Sequence, residues 1–357
     1  MMYGVRPDTR EEAAAKLPAL HVLLNMGWDY LSPADCLTAR GSEREVLLPD
    51  VLREHLSSHT FEYKGTTHSL SKAGIDQVLR TISATGISDG LLAGNQAIYR
   101  HLTLGVTVTE FIDGHRHSVT VPLIDWQDVS ANWFQVTEEL SVERPAGKGR
   151  YRPDIVCYVN GIPLVVIEAK RPGSSTRTRA MVEEGISQHL RNQLGDGIQD
   201  LYAYSQLLLS ISGVEGRFGT TNTAGKFWSL WREEEIAAED IQNIRSTSLS
   251  EAQISAVFAD RPDWARKDYE ALQAGPVLAT EQDRMLVGLL RPDRLLEFVR
   301  YFIFFDRKKG KMAARYQQVF GIKSMLARIA QRRPDGGREG GVIWHTTGSG
   351  KSNLMVL

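Results

Sequence analysis

The sequence predicts an α/β fold with a mixed central sheet, and three observations predict it. Two apolar, β-branched runs, RPDIVCYV at 152–159 and IPLVVIEAK at 162–170, flank Asn160-Gly161, which is a strong β-hairpin signal. The segment TRAMVEEGISQHLRNQ at 178–193 has the periodicity of an amphipathic helix. At 340–352, GGVIWHTTGSGKS joins an apolar run to a glycine-rich loop, the pattern of a strand, a turn and a helix.

Length and composition fit one large domain or two ordinary ones. The chain has 357 residues and is 42% apolar, which is enough to form hydrophobic cores. Cys36 and Cys157 are too few for a disulfide framework, and the start, MMYGVRPDTREEAA, lacks the apolar segment of a signal peptide. The runs LYAYSQLLLSIS and VRYFIFF are far shorter than the roughly 20 residues that span a bilayer. We therefore expect a soluble, cytoplasmic protein.

Charge is balanced over the whole chain but segregated around the hairpin. There are 42 Lys and Arg residues against 43 Asp and Glu residues, a net charge of -1, so any nucleic-acid binding depends on local patches. Between residues 144 and 179 the only acids are Asp154 and Glu168. The basic residues of the same stretch are Arg144, Lys148, Arg150, Arg152, Lys170, Arg171, Arg177 and Arg179. This segregation predicts an anion nearby and a special role for the two acids.

The loop of the hairpin decides whether the two carboxylates share a face of the sheet. A two-residue loop pairs Val159 with Ile162. In a regular ladder Asp154 then lies opposite Ile167, and Glu168 projects from the other face. The two carboxylates would then be separated by the sheet.

A three-residue loop closed by a glycine bulge at Gly161 shifts the register by one residue, which changes the face of the sheet from which one strand's side chains project relative to the other's. It pairs Tyr158 with Ile162, so that both carboxylates and Lys170 project from one face, with the carboxylates as diagonal neighbours. Pro163 cannot donate to a ladder and therefore favours the irregular arrangement. We predict the bulge at Gly161.

On that register Asp154 and Glu168 are predicted to hold one hydrated Mg²⁺, which often takes one or two carboxylates and leaves its other positions to water and phosphate oxygens. The metal would activate water towards a phosphodiester, and Lys170 would orient that water or stabilise the pentavalent phosphorus. The residues predicted to contact the DNA backbone are Arg150, Arg152, Arg171, Arg177 and Arg179.

These residues carry a resemblance to a known family. Pro153-Asp154 followed by Glu168-Ala169-Lys170 resembles the PD-(D/E)xK nuclease motif, and the string RPDIVCYVNGIPLVVIEAKRP is similar to the signature of the restriction (motor) subunit of type I restriction-modification enzymes. Two further segments, YAYSQLLLSISG and GTTNTAGKFWSLWREEE, resemble the same family. The resemblance implies a PD-(D/E)xK nuclease domain with Asp154, Glu168 and Lys170 as catalytic residues.

The same resemblance extends to two helical positions. Gln188 stands where many relatives carry the glutamine of a Gln-x-x-x-Tyr motif that supports catalysis, and it is predicted as a fourth catalytic residue that contacts DNA or the scissile region. Asn192 occupies the place of the tyrosine. A solvated helix face is the alternative for both residues. Nucleases of this type often carry an acid in the first helix, and Glu11 or Glu12 is the candidate.

The glycine-rich loop predicts a nucleotide-binding site. Its members are Thr347, Gly348, Ser349, Gly350, Lys351 and Ser352, where backbone N–H groups would cradle phosphates, the lysine would reach the β and γ oxygens, and the serine would ligate Mg²⁺. His345 replaces the first glycine of the strict pattern, as in superfamily II helicases, and WHTTGSGKS resembles the form in type I motor subunits. By resemblance Gln318 reads adenine; an exposed helix glutamine is the alternative.

Other segments predict supporting structure. The sequence VTVTEFIDGHRHSVTVPLIDW predicts a hairpin at Asp113-Gly114, with His115 and His117 as a polar pair beside the turn rather than a metal site. The segment 311–330 predicts a helix, and 306–315 (DRKKGKMAAR) predicts a basic loop able to meet DNA phosphates. The core positions predicted on that helix are Tyr316, Val319, Phe320, Ile322, Met325 and Leu326.

We predict a nuclease domain at 1–232, a helical linker at 233–310, and the truncated start of a RecA-like domain at 311–357. The resemblance implies the N-terminal part of a longer subunit that uses ATP to translocate double-stranded DNA before cutting it. Its implied partners are modification (methyltransferase) and specificity subunits, and the fragment alone is not expected to hydrolyse ATP. The alternatives are a repair-type nuclease-helicase and a non-catalytic docking module. A P-loop kinase or transport ATPase fits less well, because it explains nothing before residue 300.

Overall fold

The computed structural model describes residues 12–172 and 181–342. After a π-helical turn at Glu12–Lys16, the helices run in chain order as follows: α1 Leu17–Asn25, α2 Pro33–Arg40, α3 Pro49–Ser57, α4 Lys72–Ser83, α5 Leu91–Leu104, α6 Met181–Asn192, α7 Gln199–Tyr204, α8 Ala238–Ser246, α9 Glu251–Phe258, α10 Asp263–Gln273, α11 Glu281–Leu290, α12 Pro292–Tyr301 and α13 Tyr316–Ala330.

The strands lie mostly before residue 220. In chain order they are β1 Asp29–Tyr30, β2 Thr60–Tyr63, β3 Thr66–Ser69, β4 Val106–Ile112, β5 His115–Val121, β6 Phe134–Glu138, β7 Val142–Glu143, β8 Arg150–Tyr151, β9 Ile155–Val159, β10 Ile162–Ala169, β11 Leu207–Ile211, β12 Gly216–Gly219, β13 Ile303–Asp306 and β14 Gly310–Ala313.

A mixed six-stranded sheet forms the centre of the fold, in the order β1-β6-β9-β10-β11-β12. The pairs β1–β6 and β10–β11 are parallel and the other three pairs are antiparallel. Every residue of β9, β10 and β11 is buried, because helices cover the sheet and α6 packs against β10 and β11. The predicted α/β fold with a mixed sheet is therefore confirmed.

The loop of the central hairpin differs from the prediction. Val159 pairs with Ile162 across the two-residue turn Asn160-Gly161. Both turn residues have positive φ, 50° and 78°, which is the geometry of a type I′ turn. The predicted three-residue loop with a bulge at Gly161 is wrong, because Asn and Gly adopt the tighter turn without strain.

The bulge lies three residues further on. The register shifts between Pro163 and Val165, where the proline cannot donate to the ladder. Beyond the shift Ile167 pairs with Ile155, which places Glu168 opposite Asp154 on one face of the sheet. The shared face was predicted correctly, but it arises from a bulge just after the proline rather than from the turn, and the two carboxylates lie directly opposite each other rather than as diagonal neighbours.

The remaining hairpin and helix predictions are partly confirmed. β4 and β5 join at Asp113-Gly114, as predicted, and α8 to α12 fill the segment predicted to be helical. α13 begins at Tyr316 rather than at residue 311, because the preceding residues form the β13–β14 hairpin. The predicted domain boundaries remain predictions, and the one at residue 310 falls inside this hairpin.

Two residues near α13 lie differently from the prediction. Lys311, expected in a basic loop, is buried and donates from Nζ to Gln206 Oε1 at 2.7 Å, and burial holds its pKa well below the usual range. Leu326, a predicted core position, is 62% exposed, whereas Val319 and Phe320 are buried as predicted. Among the described residues, no helix is both long and apolar enough to cross a membrane.

The central turn provides a test of the fold. A methyl group at Gly161 would lie 2.5 Å from the Leu48 carbonyl oxygen, whereas one at Gly114 would meet no atom within 4 Å. Both glycines have φ near 78°, so both substitutions carry the backbone strain of a left-handed residue, about 1 kcal/mol. Because the added methyl group overpacks the site, Gly161→Ala is expected to lower the free energy of unfolding by about 2 kcal/mol more than Gly114→Ala in urea denaturation. Equal losses would contradict the close approach of Leu48.

Candidate active site

Three charged side chains converge where strands β9 and β10 meet their loops. Asp154 directly precedes β9, Glu168 lies near the end of β10, and Lys170 follows it. The lysine Nζ lies 3.2 Å from Asp154 Oδ2 and 3.6 Å from Glu168 Oε2, and it donates to the Ala169 carbonyl at 2.8 Å. The Ala169 N–H donates to Asp154 Oδ2 at 2.7 Å. The fold therefore brings the three predicted catalytic residues into one cluster.

Glu168 is the unusual member of this cluster. It is 0% exposed, and neither of its carboxylate oxygens has a hydrogen-bond donor among the described residues. Burial raises the pKa of Glu168 well above its usual range; the neighbouring Asp154 carboxylate raises it further, and the Lys170 ammonium opposes both. A buried carboxylate that accepts no hydrogen bond is costly, so the site has capacity for a further cation.

The donor set of the cluster fits a magnesium ion with few protein ligands. Within 12–172 and 181–342, no group of three or more His, Cys, Asp and Glu residues has metal-binding geometry. Mg²⁺ is often held by one or two carboxylates together with water and substrate phosphates, so Asp154 and Glu168 meet its demand. Glu12 does not supply a third carboxylate to the cluster, since its Oε1 accepts from Arg261 Nε at 2.9 Å. Glu11 lies outside the described residues.

Helix α6 lies directly over Glu168. Glu168 and Ser210 are partners in the parallel β10–β11 register, and Gly185 faces both of them. A methyl group at Gly185 would lie 2.2 Å from Ser210 Oγ and 3.3 Å from Glu168 Cβ, so only glycine allows this approach. The close helix explains why the Glu168 carboxylate is sealed from solvent.

A cleft of about 690 Å³ opens beside the cluster. Its lining consists of Glu143, Gly147, Gly149, Arg150, Tyr151, Arg152, Gln188 and Arg191. Two guanidinium groups lie over the Tyr151 ring, with Arg144 4.3 Å and Arg191 4.8 Å from the ring centroid. Arg152 is only two residues from Asp154, so the cleft adjoins the candidate catalytic residues.

The predicted DNA-contacting arginines are exposed where they are described. Arg150 pairs with Glu43, Arg152 lines the cleft, and Arg171 directly follows Lys170. Arg177 and Arg179 lie outside the described residues. Contact with DNA remains a prediction for all five.

The two residues at the positions of the expected Gln-x-x-x-Tyr motif differ in their exposure. Gln188 is half-buried and lines the cleft, so it is available to a substrate there. Asn192 is 1% exposed and its Oδ1 accepts from Arg191 Nη2 at 3.4 Å. The alternative of a solvated helix face is therefore wrong for Asn192.

The predicted nucleotide-binding loop, Thr347 to Ser352, lies outside the described residues. Gln318 is on α13, is 7% exposed, and its Oε1 accepts the Arg315 N–H at 2.8 Å. The alternative of an exposed helix glutamine is therefore wrong, while the adenine contact stays a prediction.

Sequence reasoning did not find the residues that surround Glu168. Gly185, His189, Tyr202 and Ser210 were given no role, although a glycine inside a helical pattern is a known sign of close packing. The polar members of this set are fully buried, and their partners come from separate elements. Only the folded chain brings them together.

Comparison with known proteins gives two family matches. Residues 8–227 match the family described as type I restriction enzyme R protein N terminus, and residues 317–357 match the SWI2/SNF2 ATPase family. The second match covers α13 and the glycine-rich loop.

Similar curated proteins include the type I restriction enzyme HindI endonuclease subunit of Haemophilus influenzae, 28% identical over 348 residues, which are 95% of this chain and 28% of the relative. A putative type I restriction enzyme MjaIXP endonuclease subunit of Methanocaldococcus jannaschii is 26% identical over 98% of this chain and 32% of its own length. A Staphylococcus aureus endonuclease subunit, SauMSSORF170P, is 27% identical over 66% of this chain and 20% of its own length.

This chain thus spans about three-tenths of the first two relatives. The R protein family matches well over half of it and covers every residue of the Asp154, Glu168 and Lys170 cluster. The chain belongs to the family of type I restriction enzyme R protein N-terminal regions.

Proposed function

We propose that this chain is the nuclease region of a type I site-specific deoxyribonuclease, with a PD-(D/E)xK fold, and that it cleaves double-stranded DNA with Mg²⁺. The single observation that carries the proposal is the buried Asp154, Glu168 and Lys170 cluster, in which both oxygens of Glu168 lack a hydrogen-bond partner among the described residues. Membership of the R protein family supports it.

Each side chain of the cluster has a distinct task in this proposal. Asp154 and Glu168 hold the metal, which when bound supplies a Lewis acid and a water of lowered pKa. Lys170 is fixed by the Ala169 carbonyl and Asp154, so its ammonium is preorganised to stabilise negative charge developing on a phosphoryl oxygen. Gln188, on the cleft wall, orients the DNA strand.

The basic cleft binds the DNA backbone. Glu143, the acid in its lining, is already engaged by two hydrogen bonds from Arg44, both at 3.0 Å. The positive charge of Arg152 and Arg191 therefore dominates the cleft, and Arg171 extends it past the catalytic lysine. Phosphate contacts of this type position the duplex without reading its sequence.

In the whole protein we propose that ATP-driven translocation of DNA precedes cleavage, in complex with methyltransferase and specificity subunits. The SWI2/SNF2 match supports an ATP-binding segment that begins near Gln318. A repair-type nuclease-helicase is the alternative, and co-purification of a methyltransferase separates the two. The third possibility is a docking module without catalysis. The Mg²⁺ titration described below distinguishes this module from a metal-dependent nuclease.

The metal site is tested by replacing each carboxylate with its amide. Asp154→Asn and Glu168→Gln are each expected to lower Mg²⁺ affinity by at least tenfold in calorimetric titration and to abolish cleavage of linear duplex DNA. The reason is that each substitution removes one of the two anionic ligands that the described residues provide to the site.

Glu138→Gln is the matched control, because Glu138 is also a buried glutamate of the central sheet but is fully partnered by Tyr30, Arg261 and Lys16. It is expected to keep the parental Mg²⁺ affinity. Equal affinity in all four proteins would refute the two-carboxylate site and favour the docking module.

The cleft is tested by the salt dependence of DNA binding, measured by fluorescence anisotropy with Ca²⁺ in place of Mg²⁺. Arg152→Ala is expected to reduce the slope of log affinity against log salt by about 1, because one phosphate contact is lost. Arg116→Ala, which removes an exposed arginine stacked on Phe111 of the β4–β5 hairpin, should leave the slope unchanged. An unchanged slope in Arg152→Ala would place the DNA elsewhere on the surface.

A further inference from the structure

Helix α6 is fastened to β11 by two hydrogen bonds on either side of Gly185. Ser210 Oγ donates to the Val182 carbonyl at 2.7 Å, and His189 Nε2 lies 2.9 Å from the Leu209 carbonyl oxygen. The two β11 residues are adjacent, so both bonds act on the part of the strand that runs beside Glu168.

His189 is held in one state by its neighbours. A carbonyl oxygen only accepts, so Nε2 carries the proton, and Nδ1 accepts from the Tyr202 hydroxyl at 3.0 Å. Burial lowers the pKa of His189 to about 4; the Lys170 cation also acts to lower it, and the hydrogen bond to the Leu209 carbonyl opposes both. The imidazole is therefore neutral, and both of its nitrogens are committed to partners on other elements.

The position of α6 determines the environment of Glu168. The helix comes so close at Gly185 that an added methyl group would contact Glu168 Cβ at 3.3 Å. Glu168 is 0% exposed, although Gln188, about one turn after Gly185 on the same helix, lines an open cleft. Any shift of α6 away from β11 would admit water to the carboxylate and allow its rotamer to change.

We propose that His189 is a positioning residue for Glu168: its hydrogen bond to the Leu209 carbonyl keeps α6 against β10 and β11 and so holds the carboxylate desolvated and oriented for Mg²⁺. This inference rests on the proposed function, because it assumes that Glu168 is a metal ligand. His189 acts through the helix and does not touch the metal or the DNA.

The test is calorimetric titration of Mg²⁺ into the chain and its His189 variants. His189→Leu removes the donor to Leu209 while keeping an apolar side chain of similar size, and it is expected to lower Mg²⁺ affinity about tenfold, the scale of an outer-shell substitution. His189→Gln places an amide nitrogen near the original Nε2 and is expected to restore affinity to within about threefold of the parent.

His21 supplies the matched control. It is likewise a buried histidine bonded to a tyrosine hydroxyl, that of Tyr269 at 2.5 Å, but it lies on α1 and packs on the helices after residue 238. His21→Leu is expected to lower the free energy of unfolding in urea as much as His189→Leu does, yet to leave Mg²⁺ affinity unchanged.

A spectroscopic signature separates positioning from a general loss of packing. Nitrogen-15 NMR of the parent is expected to show the Nε2–H tautomer of His189, and Tyr202→Phe is expected to change the Nδ1 shift while keeping the Leu209 bond and Mg²⁺ affinity. If His189→Leu does not fold, Ser210→Ala, which removes the second hydrogen bond of α6, takes its place with the same expected loss of affinity.

Parental Mg²⁺ affinity in His189→Leu, or in Ser210→Ala where that variant replaces it, overturns the inference. So does an equal loss of affinity in His21→Leu, because the effect would then reflect stability alone. In both cases the parent binds Mg²⁺ and the proposed function stands. A parent chain that binds no Mg²⁺ refutes the metal site itself, and the inference falls with it.

Discussion

The structure depends on the burial of a carboxylate that accepts no hydrogen bond from the described residues. Glu168 is sealed inside the sheet-helix interface, and neither of its carboxylate oxygens accepts a hydrogen bond from the described residues. The Lys170 ammonium lies 3.6 Å from Oε2, and the Asp154 carboxylate is also close. Such a group costs about 1–3 kcal/mol that the rest of the fold must offset. Strands β9, β10 and β11 provide that stability through fully buried apolar side chains on both faces.

A few local features of the backbone determine the path of the chain around Glu168. Asn160-Gly161 closes the hairpin with a two-residue turn. The bulge after Pro163 then shifts the register by one residue, so that Asp154 and Glu168 lie on one face of the sheet. Gly185 allows α6 to approach within contact of that face. Together these features create a buried site suited to one small cation.

Much of this was predictable from the sequence. The apolar runs that flank Asn160-Gly161 identify the central hairpin. Asp154 and Glu168, the only acids in a basic stretch of the sequence, identify the carboxylates of the cluster. The bulge was misplaced because a proline and a glycine both disturb a ladder, and the sequence does not reveal which of Pro163 and Gly161 does so. The energetic difference lies in the Asn160 and Gly161 backbone, where the type I′ turn is already favourable.

Other features depend on long-range contacts that no local pattern encodes. Lys311 looks like a surface residue in a basic segment, but its Nζ finds Gln206 more than 100 positions earlier in the chain. His189 lies on the buried face of an amphipathic helix, and its role depends on Leu209 and Tyr202, which α7 and β11 bring to it. Helix and strand propensity and hydrophobic periodicity can predict that such residues are buried, but they do not identify the residues that they contact.

The most direct test of the account is the free energy of unfolding of Glu168→Met, measured in urea with and without Mg²⁺. An apolar side chain of similar length removes the unpartnered carboxylate, so we expect this variant to be about 1 kcal/mol more stable than the parent without metal and indifferent to Mg²⁺. The parent should gain stability as Mg²⁺ is added, because only the folded state binds the ion. A variant that is less stable than the parent without metal, or a parent that does not respond to Mg²⁺, would contradict the claim that Glu168 is buried for a cation.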